Sequence, residues 1–220
     1  MATNLLDHYR KTHARRVYGT SSVKQIRFLR PWIKLRRPGS ILDFGAGQSK
    51  FLDALNLPDC IELLRFDPAI PEYATRPDHK VDLLVSIDVL EHIEEPDIPQ
   101  TLRDMRHLCR DALIVIDTKP AKHLLPDGRN AHVTLRPFEW WQEKLATAFD
   151  HVEPIRTMRR SRLGFKTWES GSRERLAYQI YRARENAIHY ARRLVGLHKS
   201  QWKVSSIGRT VRPEQETERD

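Results

Sequence analysis

The 220-residue sequence contains only two cysteines and no long apolar run. Cys60 and Cys109 lie far apart without metal-ligand spacing, which predicts two small buried hydrophobic residues rather than a disulfide framework or a cysteine-bound metal. Because no stretch of about eighteen apolar residues is present, no membrane-spanning helix is expected. The first residues also lack the charged-then-apolar order of a secretory signal, so the sequence predicts a cytoplasmic protein.

The net charge of +9 is divided unevenly along the chain. Residues 1–40 carry a net charge of +9 and residues 156–212 carry +12, whereas residues 41–155 carry −9. Two interpretations are open. In one, the basic flanks bind nucleic acid or another polyanion; in the other, they are solvated and their arginines pair with the acidic central region.

An apolar run that ends in an acid and two closely spaced glycines occupies residues 41–50. Ile41 and Phe44 suit a strand that is buried on both faces. Gly45 and Gly47 allow a sharp turn and a close approach of the backbone to a ligand. A dinucleotide-binding loop would have a third glycine where this sequence has a lysine. The loop therefore indicates a nucleotide-like cofactor and disfavours a nicotinamide oxidoreductase.

A second strand is predicted at residues 61–67. It ends at Asp67, an acid that lies twenty-two residues after Gly45. An acid at this spacing accepts hydrogen bonds from the ribose hydroxyls of an adenosine-type cofactor, although a solvated carboxylate at a strand end is the simpler interpretation. Pro68, Pro71 and Pro77 then leave no room for an ordinary helix and strand. Part of the usual α/β repeat is therefore expected to be missing.

Strands and helix-sized segments alternate over the rest of the central region. Strands are predicted at 81–87, 112–116 and 152–155, and helices are predicted around 98–109 and 138–148. This order predicts an α/β protein with a Rossmann-like, doubly wound and mostly parallel sheet that is abbreviated between its second and fourth strands.

Four divisions of the chain follow from these patterns. They are a helical N-terminal extension at 1–37, the α/β core at 38–155, a basic helical extension at 156–208 and a disordered tail at 209–220. The basic extension contains a predicted helix at 172–197 whose apolar residues step by four and three. This helix packs on its own domain or, as an alternative, pairs two copies of the chain in a dimer.

Taken together, the motifs resemble the class I S-adenosylmethionine-dependent methyltransferases, and most nearly the branch that modifies small molecules. The resemblance covers roughly residues 38–155 and rests on residues 41–47, Asp67, residues 88–93, and His132 before residues 138–141. It implies that S-adenosylmethionine lies across the glycine loop. The cofactor-binding residues that it implies are Asp43, Gly45, Ala46, Gly47, Asp67 for the ribose, Ile87 and Asp88 for the adenine, and Leu90.

Methyl transfer from a sulfonium is an in-line displacement, so aligning the nucleophile and the methyl group about 3 Å apart provides most of the rate. A general base is needed only where the acceptor arrives protonated. The candidate catalytic residues are His132 after the long loop, His92 on a helix after the strand at 81–87, and Asp117 at the end of the following strand. The simpler interpretations are that His132 binds the backbone and that His92 belongs to an ordinary helix start.

Three polar residues of the long loop, His123, Asp127 and Arg129, are candidates for an acceptor pocket, although loop polarity explains them equally well. No metal site is expected. The expected partner is a small-molecule acceptor.

Two other functions stay open. In the first, the same fold methylates or binds nucleic acid through the basic flanks. Residues 86–88 differ from the paired-proline motif that the resemblance would require for base amines, and no Pro-Cys nucleophile is present, which disfavours those two routes. In the second, the chain is a non-catalytic S-adenosylmethionine-binding or assembly protein, an alternative favoured by the abbreviated segment at 68–80.

Overall fold

One six-stranded sheet flanked by helices organises the chain in the computed structural model, which describes residues 6–10, 22–122, 124–125 and 127–194. The strands are β1 (Ser40–Phe44), β2 (Glu62–Phe66), β3 (Val81–Ile87), β4 (Cys109–Asp117), β5 (Glu153–Ile155) and β6 (Arg162–Lys166). The helices are α1 (Ile26–Arg36), α2 (Phe51–Leu55), α3 (Ile98–Leu108), α4 (Phe138–Ala146) and α5 (Ser172–Leu194). The predicted tail at 209–220 and the candidate His123 lie outside the described residues.

The strands lie in the order β2-β1-β3-β4-β6-β5. The first four are parallel, and β6 runs antiparallel between β4 and β5. Between β2 and β3 the chain forms only a short 3-10 turn at Pro71–Tyr73, and β3 pairs directly with β1. The predicted fold class is confirmed, and the proline-rich connector at 68–80 contains no helix and strand of the usual repeat.

Alternate residues of the central strands point to opposite faces of the sheet and form two apolar clusters. On one face, Leu42 and Leu84 pack with Trp141 of α4 and with α3. On the other face, Ile41 and Leu83 pack with α1, α2 and α5. Burial on both faces explains why β1 and β3 are nearly continuous apolar runs.

The sheet continues beyond residue 155, the predicted end of the core, because β6 lies inside the segment that the sequence assigns to a helical extension. Along its length, β6 pairs with β4 from Leu113↔Lys166 to Asp117↔Arg162. At Gly164, an added Cβ would lie 2.5 Å from a methyl group of Thr157, so the close chain path here requires a glycine.

The long C-terminal helix α5 packs against α1 through a side chain outside the predicted apolar seam. Tyr178 stacks on Trp32 with 4.1 Å between ring centroids, and Glu185 forms an ion pair with Arg30. The seam itself is exposed along its described length, including Leu176 and Ile180. Docking of the helix on its own domain is therefore observed, and pairing of two copies through the helix stays a prediction.

Several arginines of the two basic flanks form ion pairs with acids of the central region. Arg36 of α1 lies beside Asp111, and Arg175 of α5 lies 3.5 Å from Glu153. For these residues, the structure favours the interpretation in which the flanks pair with the acidic core.

The predictions made from cysteine content and hydropathy have different outcomes. Cys109 is buried at the start of β4, as predicted, whereas the prediction of a buried Cys60 is wrong. Cys60 belongs to a turn in which the Ile61 N–H donates to the Pro58 carbonyl, and this turn leaves its side chain at the surface. Within the described part of the chain, no helix combines the length and apolar character that a membrane span requires.

Candidate active site

Four parallel strands end at the same edge of the sheet, and most of the predicted site residues follow these ends. Gly45 and Gly47 follow β1, Asp67 follows β2, Asp88 follows β3, and Asp117 ends β4. In open α/β sheets, this carboxyl edge is where ligands bind.

The glycine loop after β1 depends on glycine for two physical reasons. Gly45 has a φ of 74° and Gly47 has a φ of 51°, values in the left-handed region that other residues avoid. A Cβ at Gly45 would also lie 2.5 Å from a methyl carbon of Val89. Hydrogen bonds from the Gly45 and Ala46 N–H groups to the Phe66 carbonyl fix the loop against the end of β2.

Asp67 links the glycine loop to the connector that follows β2. One carboxylate oxygen accepts a hydrogen bond from the Gly47 N–H at 2.7 Å, and the other accepts from the Ala69 N–H at 2.8 Å. The side chain is therefore a structural clamp whether or not a ligand is bound. Its predicted role with a ribose stays a prediction.

Asp43 lies at the end of β1 beneath the glycine loop and is 3% exposed. Its Oδ2 atom has no hydrogen-bond partner among the described residues. Burial raises the pKa of Asp43 to about 7, the nearby Arg65 lowers it, and Asp67 raises it further. A nearby cation would favour the ionised form of this carboxyl group.

Ser49, which follows the two glycines, has a structural role in the loop. Ser49 Oγ lies 2.6 Å from Ser22 Oγ and accepts a hydrogen bond from the Phe51 N–H at the start of α2. Ser49 therefore joins the glycine loop to the segment that precedes α1. A serine hydroxyl commonly forms such local hydrogen bonds with nearby backbone N–H groups.

The three residues with apolar side chains that are predicted to contact the cofactor are buried in the protein interior. Ala46, Ile87 and Leu90 are at most 7% exposed, and Leu90 packs in the same apolar cluster as Phe44. An open depression of about 410 Å³ borders the same loop, but it is lined by other residues, among them Lys50, Arg65 and Tyr73. The depression and the predicted cofactor residues are therefore adjacent but separate features.

Asp88 has a φ of 57° and lies opposite an arginine that the sequence did not indicate. Arg162, at the start of β6, places Nη2 2.7 Å from Asp88 and Nε 3.5 Å from Asp117. Its side chain is only 8% exposed. This buried ion pair joins the ends of β3, β4 and β6.

Glu91 and His92 belong to a short 3-10 turn, Leu90–His92, rather than to the predicted helix. A second 3-10 turn follows at Glu95–Asp97, and α3 begins only at Ile98. Glu91 is fully buried, and burial together with the nearby Asp88 raises its carboxyl pKa well above the usual value.

The long loop after β4 returns to this turn and brings the two candidate histidines together. The ring centroids of His92 and His132 are 4.7 Å apart in an edge-to-face arrangement. The Thr134 N–H donates to the Glu91 carbonyl at 3.1 Å, and Ala131 lies within hydrogen-bond distance of His92. His132 and His92, named separately from the sequence, therefore form one cluster.

Asp127 and Arg129 of the same loop form a surface ion-pair network that includes Glu94. The salt bridges hold the loop beside the 3-10 turns, and the side chains are about half exposed. Their predicted role in an acceptor pocket stays a prediction.

A family model described as a methyltransferase domain matches residues 8–173, which span the glycine loop, the histidine cluster and β6. The chain belongs to this methyltransferase family. The family predicted from the ordered motifs is thereby confirmed, together with the prediction that the chain is an enzyme. None of the curated proteins matches the sequence.

Two solved structures share the fold of this methyltransferase. A candidate O-methyltransferase from Nostoc punctiforme PCC 73102 gives a TM-score of 0.53 at 13% identity over 66% of this chain and 55% of that one. DhpI in complex with SAH gives a TM-score of 0.50 at 14% identity over 73% of this chain and 93% of that one. The chain thus spans about half the length of the first protein. At these identities the likeness concerns the fold.

Two residues of the methyltransferase site are absent from the sequence prediction. Arg162 lies in a strand with charged ends and a central glycine, so neither the strand nor the ion pair has a local signal. Tyr9 reaches the histidine cluster from the N-terminal segment, and its hydroxyl lies 2.9 Å from His92 Nδ1. Only its place on a short amphipathic stretch is readable from the sequence.

Proposed function

We propose that this methyltransferase binds S-adenosylmethionine at the carboxyl edge of β1 and β2 and transfers its methyl group to a small-molecule acceptor. The observation that carries the proposal is the glycine loop whose Gly47 N–H is held by Asp67 at the end of the next strand. An acid and a glycine loop in this relation provide both a ribose partner and a closely approaching backbone. The cofactor supplies a methyl group on a positively charged sulfonium.

Asp43 fits the charge of this cofactor. A buried carboxylate oxygen without a hydrogen-bond partner is unfavourable until a donor or a cation reaches it. S-adenosylmethionine carries a sulfonium and an ammonium group. We assign to Asp43 the stabilisation of this cationic part, which favours the ionised form of the carboxyl group.

Asp67 retains capacity for the ribose although both its oxygens already accept backbone hydrogen bonds. Each carboxylate oxygen has a second lone pair, so one position on each oxygen is left for a ribose hydroxyl. The backbone bonds hold the carboxylate in one orientation, which lowers the entropy lost on binding.

The histidine cluster supplies the acceptor side. His132 Nδ1 lies 2.5 Å from the Lys119 carbonyl, so this nitrogen is the donor and Nε2 carries the lone pair. His132 is thus equipped to bind or deprotonate an acceptor, as is His92. Asp117 instead accepts a hydrogen bond from the Lys119 N–H and faces Arg162, which suits a positioning role.

A small acceptor is favoured by the way in which the long loop is tied down. The Asn130 side chain bonds the backbone of Ala121 in both directions, and the Thr134 hydroxyl donates to the Ile93 carbonyl. The Asn130 bonds close the loop on itself and the Thr134 bond ties it to the 3-10 turns, so we expect the loop to admit only a small acceptor beside the histidines.

The acceptor class is tested by incubating the full chain with S-adenosylmethionine labelled in the methyl group. Pools of small hydroxyl and amine compounds, RNA, DNA and denatured protein serve as acceptors in separate reactions. We expect label in a small-molecule pool, with a rate that changes little between low and moderate salt. Label found only in nucleic acid, with a steep loss of rate on added salt, would contradict the proposal.

A further inference from the structure

Two histidines and one glutamate from separate segments converge beside the end of β3. Glu91 and His92 come from the turn after β3, and His132 comes from the loop after β4. One donor atom from each side chain lies within 4.8 Å of the donor atoms of the other two. About forty residues separate His132 from Glu91 and His92, so the sequence alone does not show that the three side chains meet.

Both histidines present the same ring nitrogen to a backbone carbonyl. His92 Nδ1 lies 2.9 Å from the Ala131 carbonyl, and His132 Nδ1 lies 2.5 Å from the Lys119 carbonyl. A carbonyl only accepts hydrogen bonds, so each Nδ1 carries a proton, and in the neutral ring Nε2 then carries the lone pair that can bind a metal. Metal-binding histidines are typically oriented in this way, with the second nitrogen donating to a carbonyl or carboxylate.

Glu91 provides a buried acceptor that lacks a partner. Its Oε1 accepts a hydrogen bond from the Asp117 N–H at 2.9 Å, whereas Oε2 has no hydrogen-bond partner among the residues that the structure describes. The side chain is 0% exposed. A buried carboxylate is stable when it is paired or coordinates a metal.

Further hydrogen bonds hold the turn after β3 and the loop after β4 together around the cluster. The Tyr9 hydroxyl donates to the same Ala131 carbonyl at 3.0 Å, and the Thr134 N–H donates to the Glu91 carbonyl at 3.1 Å. The three donor groups are therefore fixed by backbone contacts before any ion arrives. Such outer contacts orient ligands and raise their affinity.

We propose that Glu91, His92 and His132 bind one divalent ion of the first transition row, such as Co²⁺, Mn²⁺ or Zn²⁺. Two imidazoles with one carboxylate suit these ions better than Mg²⁺ or Ca²⁺, which prefer oxygen ligands. Three protein ligands leave coordination positions open for another molecule.

The role of the ion at this site rests on the proposed methyl transfer. An acceptor hydroxyl that coordinates the ion has a lowered pKa and loses its proton to solvent water. Its oxygen then forms a bond to the methyl carbon while the carbon–sulfur bond breaks and the sulfur keeps the electron pair. The products are a methyl ether and a neutral thioether, so no oxidant or reductant is needed.

Metal binding is tested directly on the full chain after treatment with a chelator, without S-adenosylmethionine. Titration with Co²⁺ is followed by the visible absorption of the ion. We expect saturation at one equivalent, displacement by Zn²⁺ and no displacement by an equal concentration of Mg²⁺. His132→Ala should weaken Co²⁺ binding by more than about 100-fold, beyond the loss of about 10- to 100-fold typical of outer contacts.

The matched control is His79→Ala, because His79 also lies beside two carboxylates, Glu62 and Asp78, but at the surface. This variant should bind Co²⁺ as the wild type does. His92→Gln is a second ligand variant, and circular dichroism establishes that each variant is folded. Absence of saturable Co²⁺ binding, or equal affinity in the wild type and in a folded His132→Ala, would overturn the proposal. Because no cofactor is present, either result is independent of S-adenosylmethionine binding.

Discussion

Arg162 and Asp88 form a buried ion pair with 2.7 Å between Nη2 and Oδ2, and the two side chains are 8% and 14% exposed. The pair connects the antiparallel strand β6 to the end of the parallel strand β3. It therefore couples the part of the sheet nearest the C-terminus to the edge at which the proposed cofactor binds.

Replacing Arg162 should destabilise the protein strongly. Arg162→Met leaves the Asp88 carboxylate buried without its arginine, and loss of one partner of a buried pair costs about 3–5 kcal/mol. The exposed Asp150, which pairs with Arg106, is the control, since Asp150→Ala should cost less than about 1 kcal/mol. Urea denaturation gives both free energies of unfolding. Equal losses of unfolding free energy in the two variants would show that the buried pair contributes no more to stability than the exposed pair.

The pKa of Asp43, raised to about 7 mainly by burial, predicts a pH-dependent stability. The unfolded carboxyl group titrates near its ordinary value of about 3.9, so between about pH 4 and pH 7 the folded state holds a proton that the unfolded state has lost. The contribution of Asp43 to the free energy of unfolding should therefore fall as the pH rises through this window and level off above it.

Asp43→Asn removes this titration while keeping the side-chain shape. The free energy of unfolding of the variant, relative to the wild type, should increase between pH 5 and pH 8. Urea denaturation at several pH values measures the difference. Parallel profiles for the two proteins would contradict the assignment.

Gly45 and Gly128 allow strain and crowding to be separated. Both have a φ in the left-handed region, 74° and 84°, but a Cβ at Gly45 would meet Val89 at 2.5 Å. Among the described residues, apart from its two chain neighbours, no atom lies within 4 Å of a Cβ at Gly128. Gly128→Ala should cost about 1–2 kcal/mol from backbone strain. Gly45→Ala should cost about 1–3 kcal/mol more from overpacking.

The double variant Gly45→Ala with Val89→Ala checks the cause of this difference. Removing the valine methyl groups should recover part of the loss that is specific to position 45. If Gly45→Ala and Gly128→Ala lose the same stability in thermal or urea denaturation, crowding by Val89 does not explain why position 45 requires a glycine.

The sequence predicts the parts of the fold whose residues carry their own local signal. The strand at Val81–Ile87 has the predicted bounds because a strand buried on both faces is a continuous apolar run. In contrast, β6 contains Gly164 and ends in the fully buried Lys166, whose Nζ binds Glu153 and the Trp168 carbonyl. These residues form a strand only because β4 and β5 flank them, so tertiary pairing outweighs local preference.

The candidate site shows the same division. Asp67 is named as a candidate from its spacing after the glycines, and the structure shows it bonded to the Gly47 N–H. The proximity of His92 and His132 depends on the path of the loop between residues 117 and 137, which returns through hydrogen bonds to the 3-10 turn. That path has no periodic pattern, so the sequence names both histidines without indicating that they meet.

Calorimetric titration of the purified full chain with S-adenosylmethionine directly tests whether this cofactor binds at the glycine loop and Asp67. We expect one site of micromolar affinity and no comparable binding of NAD. The affinity of Asp67→Asn should be lowered about tenfold or more, because a hydrogen bond to a charged group contributes about 1.5–3 kcal/mol. Asp53→Asn, at an exposed acid on the neighbouring helix α2, should bind as the wild type does. Tight binding of NAD without binding of S-adenosylmethionine, or an unchanged affinity in a folded Asp67→Asn, would contradict the proposed cofactor site.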